Sequence, residues 1–288
     1  MTDKLKNYLH LHFIVFIWGF TAVLGKLITI DALPLVWFRM GMAVCFIILF
    51  IGIKRFSLRI SSRKMVIMAL VGVVIALHWV TFFKAIKVSN VSVALATLST
   101  GAFFTALIEP IFYKRKVIWY EIVFGLIVIL GLIIIFKVET QYVEGIGLAL
   151  ISAMLSSIFA LANGKLIQTE KPSVISFYEL LSGVLFISIY LGFRRDFKTA
   201  FFELSKNDWI FLFILASICT AYAFIASVKV MKFLTPYTVM LTVNLEPVYG
   251  IILAFIFLGE SEKMNPLFYI GALLILSTVI ANGLLKNK

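Results

Sequence analysis

Three neighbouring residues near the end of the chain combine an amide, a carboxylate and a break in the backbone: Asn244, Glu246 and Pro247. They lie in a long apolar segment, where an ionised carboxylate is costly unless it faces water, a partner or a proton. Pro247 has no N–H to donate to the carbonyl of Val243, so a helix is interrupted beside the carboxylate. This combination predicts a binding site that includes Glu246 and Asn244. The alternative is a structural kink that holds a protonated glutamate.

Five further side chains that can bind ligands lie in apolar segments. His78 can carry protons or hydrogen-bond a ligand, and a bond to another helix is the alternative. Trp18, Trp79 and Tyr222 offer flat surfaces for a ring or a cation, although packing is the alternative for each of them. Asn163 is predicted to face a cavity or to hydrogen-bond between helices. We therefore predict that the substrate-binding residues are Trp18, His78, Trp79, Asn163, Tyr222, Asn244 and Glu246, and that no metal is bound.

Two more charges, Arg39 and Glu179, lie in apolar segments 140 residues apart. Their opposite signs allow a pair, which is the usual way to keep a charge in hydrocarbon. Each also lies close enough to the end of its segment to reach the lipid headgroups. Whether they pair stays open; we expect structural anchoring and leave both out of the binding site.

The elements that carry these residues are apolar runs that recur along the whole chain. Hydrophobic residues make up 62% of the 288 and charged residues 14%, whereas soluble domains carry roughly 25% charged residues. A run of about 20 apolar residues crosses a bilayer as a helix, and no run shows the alternation of a membrane barrel. The sequence predicts an all-α integral membrane protein with ten transmembrane helices, at 8–28, 33–53, 64–86, 89–112, 117–136, 143–167, 173–193, 209–230, 234–257 and 266–285.

The chain divides into two similar halves, 1–138 and 139–288, each predicted to hold five helices. Short segments match between the halves at a nearly constant offset, as 33–39 does with 173–179. Because five is an odd number, the second half enters the membrane from the opposite side. The halves are therefore predicted to be inverted repeats, which many secondary transporters use.

Charge and cysteine content restrict the remaining possibilities. The net charge of +12 comes from loop lysines and arginines, which favour the side that holds both termini and predict that this side is cytoplasmic. Orientation explains these cations, and we expect no nucleic-acid partner. Cys45 and Cys219 lack the spacing of a metal or disulfide site. We expect a multi-pass protein of a bacterial inner membrane, with the lipid bilayer and a small-molecule substrate as its partners.

Segment 244–260 reads NLEPVYGIILAFIFLGE and resembles the signature of the drug/metabolite transporter superfamily, EamA family. Trp18-Gly19 resembles the "WG" of that family's first helix, and FFKAI at 82–86 resembles the end of its third. The first half departs from the pattern, because Glu109-Pro110 lies at the end of its helix and does not correspond to Glu246-Pro247. The resemblance implies a ten-helix transporter with a cavity lined by helices 1, 3, 4, 6, 8 and 9, whose relatives move amino acids and other small metabolites, frequently outward.

We therefore predict a secondary transporter, without a cofactor, that exports amino acids or related small metabolites by alternating access. A carrier of drugs, nucleobases or cationic metabolites is the alternative from the same family. An integral-membrane lipid-modifying enzyme is disfavoured, because its paired acids or metal ligands are missing. If transport uses protons, Glu246 and His78 are the titratable groups for it. Substrate, direction, coupling ion and oligomeric state stay open.

Overall fold

The computed structural model describes residues 3–116, 118–234, 236–243 and 245–286. Every regular element in these ranges is helical, so the prediction of an all-α protein is confirmed. The α-helices are α1 Asp3–Leu27, α2 Ala32–Ile53, α3 Ser62–Val88, α4 Val91–Leu98, α5 Gly101–Tyr113, α6 Trp119–Val138, α7 Val143–Leu166, α8 Pro172–Arg194, α9 Thr199–Phe202, α10 Lys206–Ala216, α11 Ala223–Val230, α12 Pro236–Val243, α13 Glu246–Leu258 and α14 Pro266–Lys286. A π-helix, Ser217–Tyr222, joins α10 to α11, and short 3₁₀ turns cover Thr140–Tyr142 and Gly259–Glu262.

Seven of the described helical segments are long and apolar enough to cross a bilayer. They are Leu5–Leu27, Ala32–Ile53, Ser62–Val88, Val91–Tyr113, Thr140–Leu166, Pro172–Arg194 and Lys206–Val230, and two shorter apolar helices cover Ile122–Val138 and Pro266–Thr278. Large apolar side chains are exposed around the outside, for example Leu49, Leu130 and Ile256. An apolar exterior of this kind is suited to lipid rather than water. The chain is a multi-pass membrane protein.

Two of the predicted segments are divided near their middle. The segment predicted at 89–112 consists of α4 and α5, separated by Ser99 and Thr100. The segment predicted at 234–257 consists of α12 and α13, and Glu246 is the first residue of α13. Pro247 explains the second interruption, because it cannot donate to the carbonyl four residues earlier. The first interruption contains no proline.

Corresponding helices of the two halves make corresponding contacts. Helix α3 packs on α7 while α11 packs on α1, and α1 packs on α13 while α7 packs on α4 and α5. Helices α6 and α14 cross at Gly131 and Gly271, where a Cβ on either glycine would lie 2.8 Å from the other's carbonyl oxygen. Only glycine permits so close a backbone approach. The two glycines are 140 residues apart, the same offset as Arg39 and Glu179.

Candidate functional site

A central cavity lies between α1, α2, α3, α7, α11 and the two divided segments. The cavity volume is about 80 Å³, which is room for several water molecules. The cavity extends to Met231, which also lines a second, more open pocket with Tyr113, Lys165 and Phe233. We name this end of the bundle the Met231 end.

Glu246 lines the cavity from the first turn of α13 and is 6% exposed. Among the described residues, neither a hydrogen bond nor an ion pair reaches its carboxylate. Its position follows from the interruption before Pro247, which turns the start of a new helix toward the cavity. The predicted neighbour Asn244 lies outside the described residues. Glu246 is therefore a buried acceptor that faces a cavity rather than a protein partner.

Arg39 also lines the cavity, contrary to the expectation that it only anchors its helix. Its side chain is 2% exposed, and its Nε donates to Thr220 Oγ1 at 2.6 Å. The guanidinium carbon lies 3.8 Å from the centre of the Trp79 ring, which covers one face of the group. Arg39 adds α2 to the helices that the family resemblance implied for the cavity. Because Arg39 is buried and has Thr220 as a partner, it does not need a lipid headgroup to stabilise its charge.

The π-helix explains how Arg39 obtains its partner. Thr220 Oγ1 donates to the carbonyl of Leu215, five residues earlier, at 2.7 Å. The wider turn displaces the residues that follow it relative to a regular helix. Thr220 thereby faces Arg39, while Tyr222 faces away from the cavity. Such single wide turns are frequent at functional sites.

Tyr222 consequently does not line the cavity, although we predicted it as a binding residue. Its side chain is 45% exposed, and its hydroxyl lies 2.8 Å from Nε2 of His10. The prediction aligned Tyr222 with His78 across the repeat. Tyr222 is the last residue of the π-helix, whose wider turn changes the direction of its side chains relative to a regular helix.

His78 lines the cavity and also connects two helices. Its Nδ1 lies 2.9 Å from the carbonyl oxygen of Ser152, and the Ser152 hydroxyl donates to the carbonyl of His78 at 3.0 Å. Because a carbonyl only accepts, Nδ1 donates in this contact, and Nε2 is the acceptor of the neutral ring. His78 therefore meets both alternatives of the sequence analysis: it lies at the cavity and it hydrogen-bonds to another helix.

Asn163 lines the cavity on α7 and is paired with Glu179 of α8. Its Nδ2 donates to Glu179 Oε2 at 3.3 Å, so the carboxylate of Glu179 contacts Asn163 and not Arg39. Within the described chain, Asn163 Oδ1 and Glu179 Oε1 are buried without a hydrogen-bond partner. A buried acceptor without a donor is rare and indicates a missing water, proton or ligand.

Trp18 and Trp79, the other predicted binding residues, both line the cavity. Next to Trp18, Gly19 meets α13: a Cβ there would lie 2.9 Å from the backbone nitrogen of Gly250. In this pair, Gly19 permits the close packing of α1 on α13, and Trp18 lines the cavity. Phe82, Phe159 and Phe224 add apolar surface to the wall.

The opposite end of the bundle, the Glu262 end, is tied together by polar contacts. The Glu262 carboxylate, 1% exposed, accepts from the backbone nitrogens of Val91 and Ser92 at 3.1 and 2.8 Å and from the Ser92 hydroxyl at 2.9 Å. These contacts cap the start of α4, where the helix dipole favours a negative charge. Asp208 accepts from the backbone nitrogen and the hydroxyl of Thr29, each at 2.7 Å. Both carboxylates connect the second half of the chain to the first.

Comparison with known proteins assigns the family. A sequence model of the EamA-like transporter family matches residues 6–137 and, a second time, residues 143–283. The chain belongs to the EamA-like transporter family. This EamA protein is thereby placed in the drug/metabolite transporter superfamily, and the double match shows an architecture of two repeats.

Two curated relatives and one solved structure are similar to the EamA protein. It is 24% identical to the "Uncharacterized transporter YxxF" of Bacillus subtilis (strain 168) over 204 residues, 69% of this chain and 64% of that one. The EamA protein thus spans slightly less than two thirds of that relative. It is 23% identical to an "Uncharacterized transporter" of Clostridium kluyveri over 79% of this chain and 75% of the relative. A solved crystal structure superposes with a TM-score of 0.71 and 15% identity over 98% of this chain and 99% of that one, which shows a shared fold.

Proposed function

We propose that the EamA protein is a secondary transporter that moves small organic metabolites, namely amino acids or related compounds, through the central cavity by alternating access. The observation that carries the proposal is the cavity itself. It holds two buried charges, Arg39 from the first half and Glu246 from the second, with unfilled space around them. Such groups are expensive in a membrane and mark substrate pathways.

The proposed architecture is ten transmembrane helices in two inverted repeats, 1–138 and 139–288. The equivalent packing of the two halves supports it, as does the contact between Gly131 and Gly271. Each half also has one divided helix, which is α4 and α5 in the first half and α12 and α13 in the second. Interrupted helices at corresponding positions of two repeats typically mark the binding site of a transporter.

We propose export across a bacterial inner membrane, with both termini in the cytoplasm. Helix α1 ends beside Ser89, whose carbonyl accepts from Lys26 Nζ at 3.2 Å, at the Glu262 end. The amino terminus of α1 therefore lies at the Met231 end, toward which the cavity extends. With cytoplasmic termini, the described conformation exposes the site to the cytoplasm, where an exporter loads its substrate.

The proposal is tested with the purified protein in liposomes. A panel of amino acids, nucleobases and cationic drugs is first screened for thermal stabilisation, since a ligand of the native state raises its apparent stability. Compounds that stabilise the protein are then measured in counterflow. We expect amino acids to be exchanged by the wild type and poorly by Glu246→Gln. Exchange of nucleobases or drugs alone would refute the amino-acid class, and no exchange of any compound would refute transport.

The matched control is Glu144→Gln, the same substitution at the start of α7, where the side chain is 66% exposed and pairs with Lys84 at 3.8 Å. It should transport as the wild type does. An imposed proton gradient tests Glu246 and His78 as coupling groups: a gradient that drives uptake in the wild type and not in Glu246→Gln supports coupling through the carboxylate. An exchange rate that does not change with the proton gradient in either protein rejects proton coupling.

A further inference from the structure

Two opposite charges share the central cavity without contacting each other. Arg39 and Glu246 both line it, both are buried, and they do not form an ion pair. Direct pairing is the usual way to lower the cost of charges inside a membrane. A cavity that keeps them apart is suited to a molecule that carries both complementary charges.

The Arg39 guanidinium is held so that one edge remains available. Its Nε is used by Thr220, and Trp79 covers one face. Among the described residues, neither Nη1 nor Nη2 has a hydrogen-bond partner. These two nitrogens form the parallel pair of donors that matches the two oxygens of a carboxylate. The fixed guanidinium thus offers a binding position for an anionic group.

The cavity lining also offers acceptors. The carboxylate of Glu246 lacks a hydrogen-bonded partner within the described chain, and Asn163 Oδ1 is buried without a donor. Val243 also lines the cavity, and its carbonyl has lost its helical donor because residue 247 is proline. A primary ammonium group has three N–H donors and no acceptor. Acceptors of this kind fit a cationic group.

The rest of the wall is largely apolar and aromatic, with Trp18, Phe82, Phe159 and Phe224. A charged side chain on the bound molecule would lose its water without gaining a partner on this surface. From these features, and given that the chain transports small metabolites as proposed above, we infer that its substrates are zwitterionic amino acids with apolar side chains. Arg39 binds the carboxylate, and Glu246 binds the ammonium group.

Three probes with the same phenyl ring test this inference: L-phenylalanine, phenylethylamine without the carboxylate, and 3-phenylpropionate without the ammonium group. Binding to the purified full-length protein is measured as thermal stabilisation and by competition in counterflow. We expect the wild type to bind L-phenylalanine roughly 10- to 100-fold more tightly than either single-charge probe, the range that a hydrogen-bonded charge contributes. Equal binding of phenylethylamine and L-phenylalanine overturns the inference and needs no variant.

The variants assign each charge to its end of the substrate. In Arg39→Gln, L-phenylalanine should bind no better than phenylethylamine, whose own affinity is unchanged. In Glu246→Gln, L-phenylalanine should bind no better than 3-phenylpropionate. An equal loss for all three probes would show a structural role for the charges and overturn the assignment. If either single variant does not fold, the neutral double variant replaces both, and it should fail to distinguish the three probes.

Failure of this inference is distinct from failure of the proposed function. A protein that exchanges any metabolite in counterflow, but does so without preference for the zwitterion, is a transporter for which the two-charge site is wrong. A protein that exchanges none of the compounds in the panel contradicts transport itself. L-Leucine serves as the second probe, because its apolar side chain carries no ring. Binding of both amino acids confirms an apolar zwitterion as the substrate class, and transport of other compounds with binding of neither rejects it.

Discussion

The Glu262 end and the central cavity use the same residue types in opposite ways. At the Glu262 end, the carboxylates of Glu262 and Asp208 accept from backbone and hydroxyl donors of the other half. In the cavity, Glu246 has no such donor among the described residues, and Arg39 keeps two nitrogens unused. The difference shows that burial alone does not identify a binding residue. The carboxylates at the Glu262 end are satisfied by the protein, whereas the two charged groups of the cavity are the ones that we propose to bind a ligand.

The largest effect on stability is expected at Glu262, whose carboxylate has the most hydrogen-bond partners in this comparison. Glu262→Ala should lower the free energy of unfolding by about 3 kcal/mol, because two backbone N–H groups and the Ser92 hydroxyl lose their acceptor. Thermal unfolding in a fixed detergent measures this loss. The control is Glu260→Ala, whose side chain is 79% exposed and should change stability by less than about 0.5 kcal/mol. Equal stabilities of the two variants would remove the distinction between the two regions.

Glu246→Gln should lower transport and leave stability unchanged, the reverse of Glu262→Ala. We expect transport to fall by about tenfold or more, the contribution of one charged hydrogen bond to the substrate. Thermal stability should remain close to that of the wild type, because no described hydrogen bond is lost. Counterflow at matched protein amount and thermal unfolding of the same preparation check both statements. A drop in stability like that of Glu262→Ala, with transport intact, would place Glu246 among the structural carboxylates.

Thr220→Val tests whether Arg39 must be positioned. The substitution keeps the shape of the side chain but removes the hydroxyl that accepts from Arg39 Nε at 2.6 Å. We expect L-phenylalanine to bind about fivefold more weakly, the loss of one hydrogen bond. Phenylethylamine, which has no carboxylate, should bind as before, and Thr220→Ser should restore the difference. A uniform loss for both probes would indicate a packing defect in the π-helix instead.

The smallest effect is expected for Tyr222→Phe. Its hydroxyl contacts His10 on the exposed surface, outside the cavity. Transport should stay within about twofold of the wild type, and stability should change by about 0.5 kcal/mol, a typical value for one exposed hydrogen bond. Counterflow with L-phenylalanine measures the first quantity. A tenfold loss of transport would return Tyr222 to the binding residues and contradict its separation from the cavity.

The sequence predicted an all-helical membrane protein and one of the two interruptions. Apolar runs locate spans because the bilayer imposes their length, and Pro247 identifies its own break. The break at Ser99 and Thr100 has no proline or glycine within it, so its local residues do not indicate it. The surroundings of α4 are tertiary contacts that no local pattern reports, since α4 packs on α13 and Glu262 caps its start.

The site was predicted less completely than the fold. Trp18, His78, Trp79, Asn163 and Glu246 line the cavity as expected, whereas their part in substrate binding stays a prediction. Arg39 was left out because its distance from the helix end permitted a headgroup contact. Its partner Thr220 belongs to the π-helix Ser217–Tyr222, which no sequence period indicates. Tyr222 ends the same π-helix and lies outside the cavity lining.

The contact between Gly131 and Gly271 has a consequence for the ancestry of the chain. If the two halves descend from one duplicated five-helix unit, these glycines were once a single residue. Two copies of that unit, inserted in opposite directions, would have met at this residue on their symmetry axis. A side chain on such an axis collides with its own copy, so the ancestral position had to be small before the genes were joined. The α6–α14 crossing is then a preserved homodimer interface inside a single polypeptide.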